Sequence, residues 1–266
     1  MTATVPTGNG RIPAEMNQFV GRATELRHID ELLRDARLIT LVGVGGVGKT
    51  RVALRAAQTA APRYSDGICL VELTALRDPE LLPHTVARRL GMAERSPSSQ
   101  LDALIAHLAE RHLLLILDTC EHLIDAVAEL AEAILVSAPR VTVLATSREP
   151  LDVYGETTFP IRPLPVTAAV GDAVELFTQR AAAVVPEFTV TDENRADVVR
   201  LCRRLDGIPL AIELAAVRLR ALPVAELLAL LDNRILADES GQANAAPGDR
   251  HRTLRNAIGW SYDLCT

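Results

Sequence analysis

Residues 38–50 read LITLVGVGGVGKT. The first five are β-branched or leucine, the next six are glycine and valine only, and a lysine and threonine follow. Gly43-Val44-Gly45-Gly46-Val47-Gly48-Lys49-Thr50 fits G-x-x-x-x-G-K-[ST] at every defined position, between an apolar run and a helical pattern. That order of strand, glycine loop and helix is what a phosphate cradle requires. Glycines let backbone N–H groups close around phosphate oxygens without a Cβ in the way, and the helix N-terminus adds partial positive charge. Lys49 is expected to reach β- and γ-phosphates, and the Thr50 hydroxyl to sit on Mg²⁺. The expected binding set is therefore Gly43, Gly45, Gly46, Val47, Gly48, Lys49 and Thr50, with the adjoining Arg51.

Working outward, a helical stripe of Leu26, Ile29, Leu32 and Leu33 spans 23–36, and the helix after the glycine loop spans 49–61. Strands are expected at 68–73, 113–117 and 141–146, with helices near 79–90, 98–110 and 121–136. Short apolar strands alternating with helices predict an α/β fold, a parallel sheet covered on both faces. After IRPLP at 161–165 only helical patterns follow, near 170–184, 192–205, 208–221 and 223–231. The expected organisation is a lead-in at 1–17, a nucleotide-binding α/β domain at 18–165, an all-α domain at 166–236 and a polar linker at 237–249. Residues 250–266 begin one further unit.

Composition excludes several classes. Aromatics are 3% of 266 residues, too few for the stacking platforms of single-strand nucleic-acid binders. A net charge of −6 argues against a chain whose whole surface meets a polyanion. Cys69, Cys120, Cys202 and Cys265 are scattered without zinc spacing and read as reduced thiols in apolar elements. No apolar leader precedes the fold and no apolar run approaches the ~20 residues of a membrane span, so a cytoplasmic protein without membrane contact is expected.

The candidate catalytic residues are Asp118, Glu121 and Arg148. Asp118 closes the apolar run LLLIL and fits a Mg²⁺-organising carboxylate beside Thr50; as an Asp before a helical segment it fits an N-cap as well. Position 119 is threonine, which is no base at neutral pH, so the nearest acid able to orient water is Glu121. Asp118-x-x-Glu121 is also a capping-box pattern. His122 reads as a locally bonded or exposed side chain. Arg148, just past VTVLATS, could touch a γ-phosphate or pair with Glu149 in an exposed loop.

Six landmarks in order carry a family resemblance: Phe19-Val20-Gly21-Arg22 with Glu25; the glycine loop; Leu117-Asp118-Thr119-Cys120-Glu121-His122; Thr146-Ser147-Arg148; Gly207-Ile208-Pro209-Leu210-Ala211; and Trp260-Ser261-Tyr262-Asp263-Leu264. Over about residues 17–266 the chain resembles the signal-transducing P-loop ATPases called STAND proteins. The likeness is to the NB-ARC-like modules of bacterial transcriptional regulators of the LuxR and SARP types. The resemblance implies a P-loop domain, a small helical domain and the start of a winged-helix domain. It further implies Val20 and Arg22 beside the adenine and ribose, Pro209 packed on the base, and Arg148 reading the γ-phosphate. ADP would hold a closed state, and exchange for ATP would open it to assembly. Two departures stand out: Thr119 replaces the usual Asn or acid, and the winged-helix histidine is missing, so the chain is expected to be a piece of a longer regulator.

The expected function is thus an ATP- and ADP-binding switch with slow hydrolysis. Its expected partners are its own copies or other domains of that regulator, and DNA would be met only through modules outside this chain. The alternative is a self-sufficient AAA+-like ATPase that couples rapid turnover to mechanical work. A third reading, direct nucleic-acid binding through Arg250, His251, Arg252 and Arg255, competes with the solvated face of an amphipathic helix.

Overall fold

The computed structural model describes residues 13, 17–93, 97–167 and 171–241, with the side chains of 97–99 and 233–241 excepted. The winged-helix start and the basic cluster expected at 250–266 lie outside the described residues. The chain divides into two compact units. The first is built on Ala23–Gly43 and Lys49–Ile161, the second on Gln18–Arg22, Val44–Gly48 and the residues from Arg162 onward.

The first unit runs α1 (Ala23–Asp35), β1 (Leu38–Val42), α2 (Lys49–Ala60), β2 (Ile68–Glu72), α3 (Leu82–Arg89), α4 (Pro97–Ala109), β3 (Leu114–Asp118), α5 (Ile124–Ser137), β4 (Thr142–Ser147) and β5 (Glu156–Pro160). Its five strands pair in the order β2-β3-β4-β1-β5, all parallel. β1, β3 and β4 occupy the middle and are buried almost throughout, which is why their sequences are mainly apolar without a regular polar alternation. Leu115, Leu117, Val143 and Ala145 share one apolar cluster with α3, α4 and α5. α2 packs on β1, β3 and β4, and its buried residues Val52, Ala53, Ala56 and Ala57 lie outside that cluster. The two-residue alternation of the strands therefore sends Leu117 and Ala145 to the α3–α5 side, and Asp118 and Thr146 to the α2 side.

β5 is a strand that the apolar-run reading passes over. ETTFP carries one large apolar residue and is only partly buried, as an edge strand can be, and it ends in a proline whose missing N–H costs an edge little. α5 begins at Ile124, and its N-cap, Leu123, makes no side-chain capping bond. At its other end Arg37, the residue before β1, supplies the cation that the helix itself lacks. Arg37 Nη1 donates to Leu135 O at 2.7 Å, and Nη2 donates to Ala138 O at 2.7 Å and Ile134 O at 3.3 Å. Arg37→Ala should lower the stability of the first unit by about 1–3 kcal/mol, read by urea unfolding. A midpoint unchanged from wild type would show that water replaces the guanidinium without loss.

The second unit contains α6 (Asp172–Val184), α7 (Arg195–Arg204), α8 (Pro209–Val217) and α9 (Val224–Gly241). Their apolar stripes close on one core that includes Val20, Phe177, Leu201, Leu205, Ile212 and Leu227. Phe177 and Phe188 meet edge to face at 5.8 Å. α9 runs on through Gly241, so the first residues of the stretch read as a polar linker at 237–249 are helical. α7 ends in two successive left-handed residues, Asp206 (φ 51°) and Gly207 (φ 65°), and the Gly207 N–H donates to Cys202 O at 3.0 Å. Among the described residues no helix is long and apolar enough to cross a membrane. Cys69, Cys120 and Cys202 are all reduced and buried, and burial pushes the Cys69 and Cys202 thiols up to about 12.

Candidate nucleotide site

In an open parallel sheet, ligands gather at the carboxyl ends of the strands. At that edge of the first unit β1 delivers Gly43 and, after the glycine loop, Lys49 and Thr50. β3 delivers Asp118, and β4 delivers Thr146, Ser147 and Arg148. Asp118 Oδ1 accepts the Thr50 hydroxyl at 2.6 Å and the Thr146 hydroxyl at 2.7 Å, while Oδ2 accepts the Thr119 hydroxyl at 3.2 Å. A carboxylate with only 5% exposure is thus met by three hydroxyl donors. Lys49, 9% exposed, donates from Nζ to Gly43 O at 2.8 Å, and the Gly43 N–H donates to Ser147 O at 3.3 Å. Burial holds the Lys49 ammonium below its usual pKa. Glu121 and, more weakly, Asp118 oppose that shift, and Arg148 adds to it.

The Asp118-x-x-Glu121 capping box is not formed. β3 extends through Asp118, the chain kinks at Thr119 into the left-handed region (φ 67°), and the helix starts only at Ile124. The kink is anchored by β4: the Thr119 N–H donates to Thr146 Oγ1 and the Cys120 N–H to Thr146 O, both at 2.9 Å. A β-branched residue at positive φ is unusual and costly, and here two hydrogen bonds hold it in place. Glu121 turns toward Arg148, whose Nε donates to Oε1 at 2.9 Å. The expected alternative, a loop Arg148 paired with Glu149, gives way to this pair across 27 residues. His122 is tied to β2's exit, with Nε2 at 3.0 Å from Leu73 O and 2.9 Å from Leu76 O.

In the second unit the loop residues 44–48 carry the conformations that glycine permits: Gly46 has φ 72° and Gly48 φ 96°. The buried Arg22, itself at φ 62°, donates from Nη2 to Val47 O at 2.7 Å. The Leu210 N–H, in the first turn of α8, donates to Gly46 O at 3.2 Å. A peptide's C=O and N–H point opposite ways, so holding these two carbonyls turns the N–H groups of Val47 and Gly48 to the other side of the loop. Pro209, at α8's first position, has Cγ 4.0 Å from where a Cβ on Gly48 would stand. Val20, placed by the resemblance beside a base, belongs to the unit's apolar core. Arg51 donates to Asn17 O at 3.1 Å in the first unit. Gly45 lies in the turn of the loop. Thr146 and Arg22's grip on Val47 were not predicted: their partners lie 28 and 25 residues away, and no local pattern marks them.

Thr50 and Asp118 offer hard oxygen donors, which suits Mg²⁺, an ion that keeps most of its waters and takes one or two protein oxygens beside phosphates. Among the described residues no group of three or more His, Cys, Asp or Glu could hold a metal, so an all-protein metal cage is not what this arrangement provides.

Residues 31–148 match the family model of the AAA domain. A Mycobacterium tuberculosis protein named as an HTH-type transcriptional regulator is 43% identical over 237 residues, 88% of this chain and 26% of that protein. The regulatory protein AfsR of Streptomyces coelicolor is 30% identical over 241 residues, 83% of this chain and 23% of its own length. The chain thus spans about a quarter of these relatives. Among solved structures, the Walker-type ATPase of Pyrococcus abyssi superposes with a TM-score of 0.54 at 16% identity, over 84% of this chain and 74% of that one. A STAND protein with a tetratricopeptide-repeat sensor from Pyrococcus horikoshii gives 0.52 at 16%, over 90% and 39%. At that identity the likeness is one of fold. The chain has the fold of the P-loop NTPases, its residues 31–148 are similar to the AAA domain, and its relatives in sequence include proteins named as transcriptional regulators.

Proposed function

We propose that this chain is the nucleotide switch of a larger transcriptional regulator, binding ATP or ADP with Mg²⁺ and hydrolysing ATP slowly. The observation that carries the reading is the Asp118 cluster, in which the Thr50 and Thr146 hydroxyls converge on one buried carboxylate beside Lys49. In this reading Lys49 and the backbone N–H groups of Gly45, Gly46, Val47 and Gly48 take the phosphates, and Thr50 and Asp118 hold the metal. When bound, that ion offsets phosphate charge. Thr146 keeps the Asp118 carboxylate in one orientation, and Arg22 and Pro209 support the loop.

Slow turnover is supported by what stands where a base is needed. Thr119 spends its hydroxyl on Asp118, and Glu121, the acid expected to orient water, has Oε1 engaged by Arg148. The likeness to named regulators supports a role in signalling, with DNA contact and assembly supplied through the rest of the protein. Nucleotide released from the purified chain should be mainly ADP, and a single-turnover assay should show hydrolysis much slower than binding. Rapid multiple turnover would sink the switch and favour an ATPase that performs work.

A further inference from the structure

We infer that Glu121 sets the preference of this site between nucleoside diphosphate and triphosphate by occupying Arg148. The inference rests on the nucleotide-binding reading above and adds a discriminating residue to it.

The two partners are unequal. Glu121 is a fixed acid: its neighbours in sequence are both tied down, Cys120 by its N–H to Thr146 O and His122 by the carbonyls of Leu73 and Leu76. Its side chain is 18% exposed, whereas that of Arg148 is 55% exposed and follows the end of β4. Arg148 is the partner able to swing away. The pair is also incomplete. Arg148 reaches Glu121 Oε1 through Nε, and Glu121 Oε2 is buried without a hydrogen-bond partner among the described residues. A fork-to-fork arginine–carboxylate pair would satisfy both oxygens, so this one is weaker than the geometry of the two groups allows and can be exchanged.

The acid also stands within electrostatic reach of the phosphate-binding lysine. Of the charges acting on Lys49, Glu121 has the largest influence, ahead of Asp118. A terminal phosphate near Lys49 therefore meets Glu121 in two ways. Arg148 must leave its acid before it can serve an additional phosphate, and the carboxylate then left without its cation repels the added charge. A diphosphate, lacking that terminal group, makes neither demand. Glu121 thus lowers affinity for triphosphate while leaving affinity for diphosphate nearly untouched.

The test measures equilibrium affinity for Mg²⁺-ADP and for Mg²⁺ with a non-hydrolysable β,γ-imido triphosphate, by calorimetry on the full chain, so no turnover enters. Glu121→Gln should raise triphosphate affinity relative to diphosphate by about 2- to 5-fold. Glu121→Asp keeps the negative charge but shortens the reach to Arg148, and should also raise the ratio. Arg148→Gln should lower triphosphate affinity alone, and in the double variant the gain from Glu121→Gln should shrink to the part that charge repulsion contributes, as coupled residues require. An unchanged ratio in Glu121→Gln, or the same gain with Arg148 replaced, would overturn the inference; the latter marks plain charge repulsion. A wild-type chain that binds neither nucleotide would overturn the nucleotide reading itself, a different result from an unchanged ratio.

Discussion

Lys49→Ala should abolish measurable nucleotide binding, lowering affinity by about two orders of magnitude or more, while the ligand-free protein stays folded. The two halves of that result come from the same observation. Lys49 is 9% exposed, and burial holds its ammonium below the usual pKa, so the cation is kept in the folded chain at a cost. Without a ligand it has the Gly43 carbonyl to bond, which alanine can leave to water or to the loop. The melting temperature of the ligand-free variant should therefore equal or exceed that of wild type. A ligand at 100 times its Kd stabilises a protein by about 2.7 kcal/mol. For a chain of this size that is roughly 5–10 °C, and the variant should lose the whole shift. Thermal melts with and without Mg²⁺-ADP decide it: a variant that keeps its ligand-induced shift would remove Lys49 from the site.

Gly207→Ala should give the largest loss of stability. Gly207 sits at φ 65°, and a Cβ there would overlap the Leu164 carbonyl oxygen, with Val166 Cγ2 at 3.4 Å behind it. The same residue accepts the Leu164 N–H at 2.9 Å, so backbone cannot retreat without breaking that bond. Left-handed strain and backbone overlap together should cost about 2–5 kcal/mol, a large share of the stability of any domain. Gly67→Ala is the matched control. Gly67 also has positive φ, 85°, but nothing lies within 4 Å of its Cβ position, so only the conformational part, about 1–2 kcal/mol, should appear. Urea unfolding of both variants separates the two terms; equal losses would mean that the Leu164 contact relaxes freely.

What could be read in advance follows from how local each cause is. The glycine loop and the apolar runs at β1, β3 and β4 were legible because one short segment carries both the conformation and the chemistry. β5 was not, because an edge strand needs little apolar sequence and ETTFP has one large apolar residue. Asp118-x-x-Glu121 misled for the opposite reason: its spacing is a real capping pattern, but the sheet claims Asp118 first and Thr119 turns the chain before a helix can start. Glu121's engagement with Arg148 and Arg22's with Val47 are tertiary, set by where β4 and the loop come to rest. Sequence showed that the residues exist and the fold showed whom they meet.

The three buried thiols have a practical consequence. Cys69 lies in β2, Cys120 in the kinked segment beside Asp118, and Cys202 in α7, all below 4% exposure. A thiol shielded in this way reacts with an alkylating reagent only when its surroundings open. With Cys265 replaced by serine, the chain carries a native clock in its sheet, another in its candidate site and a third in its helical unit. Comparing their labelling rates with and without nucleotide would tell which of the three regions breathes, without adding a single foreign group.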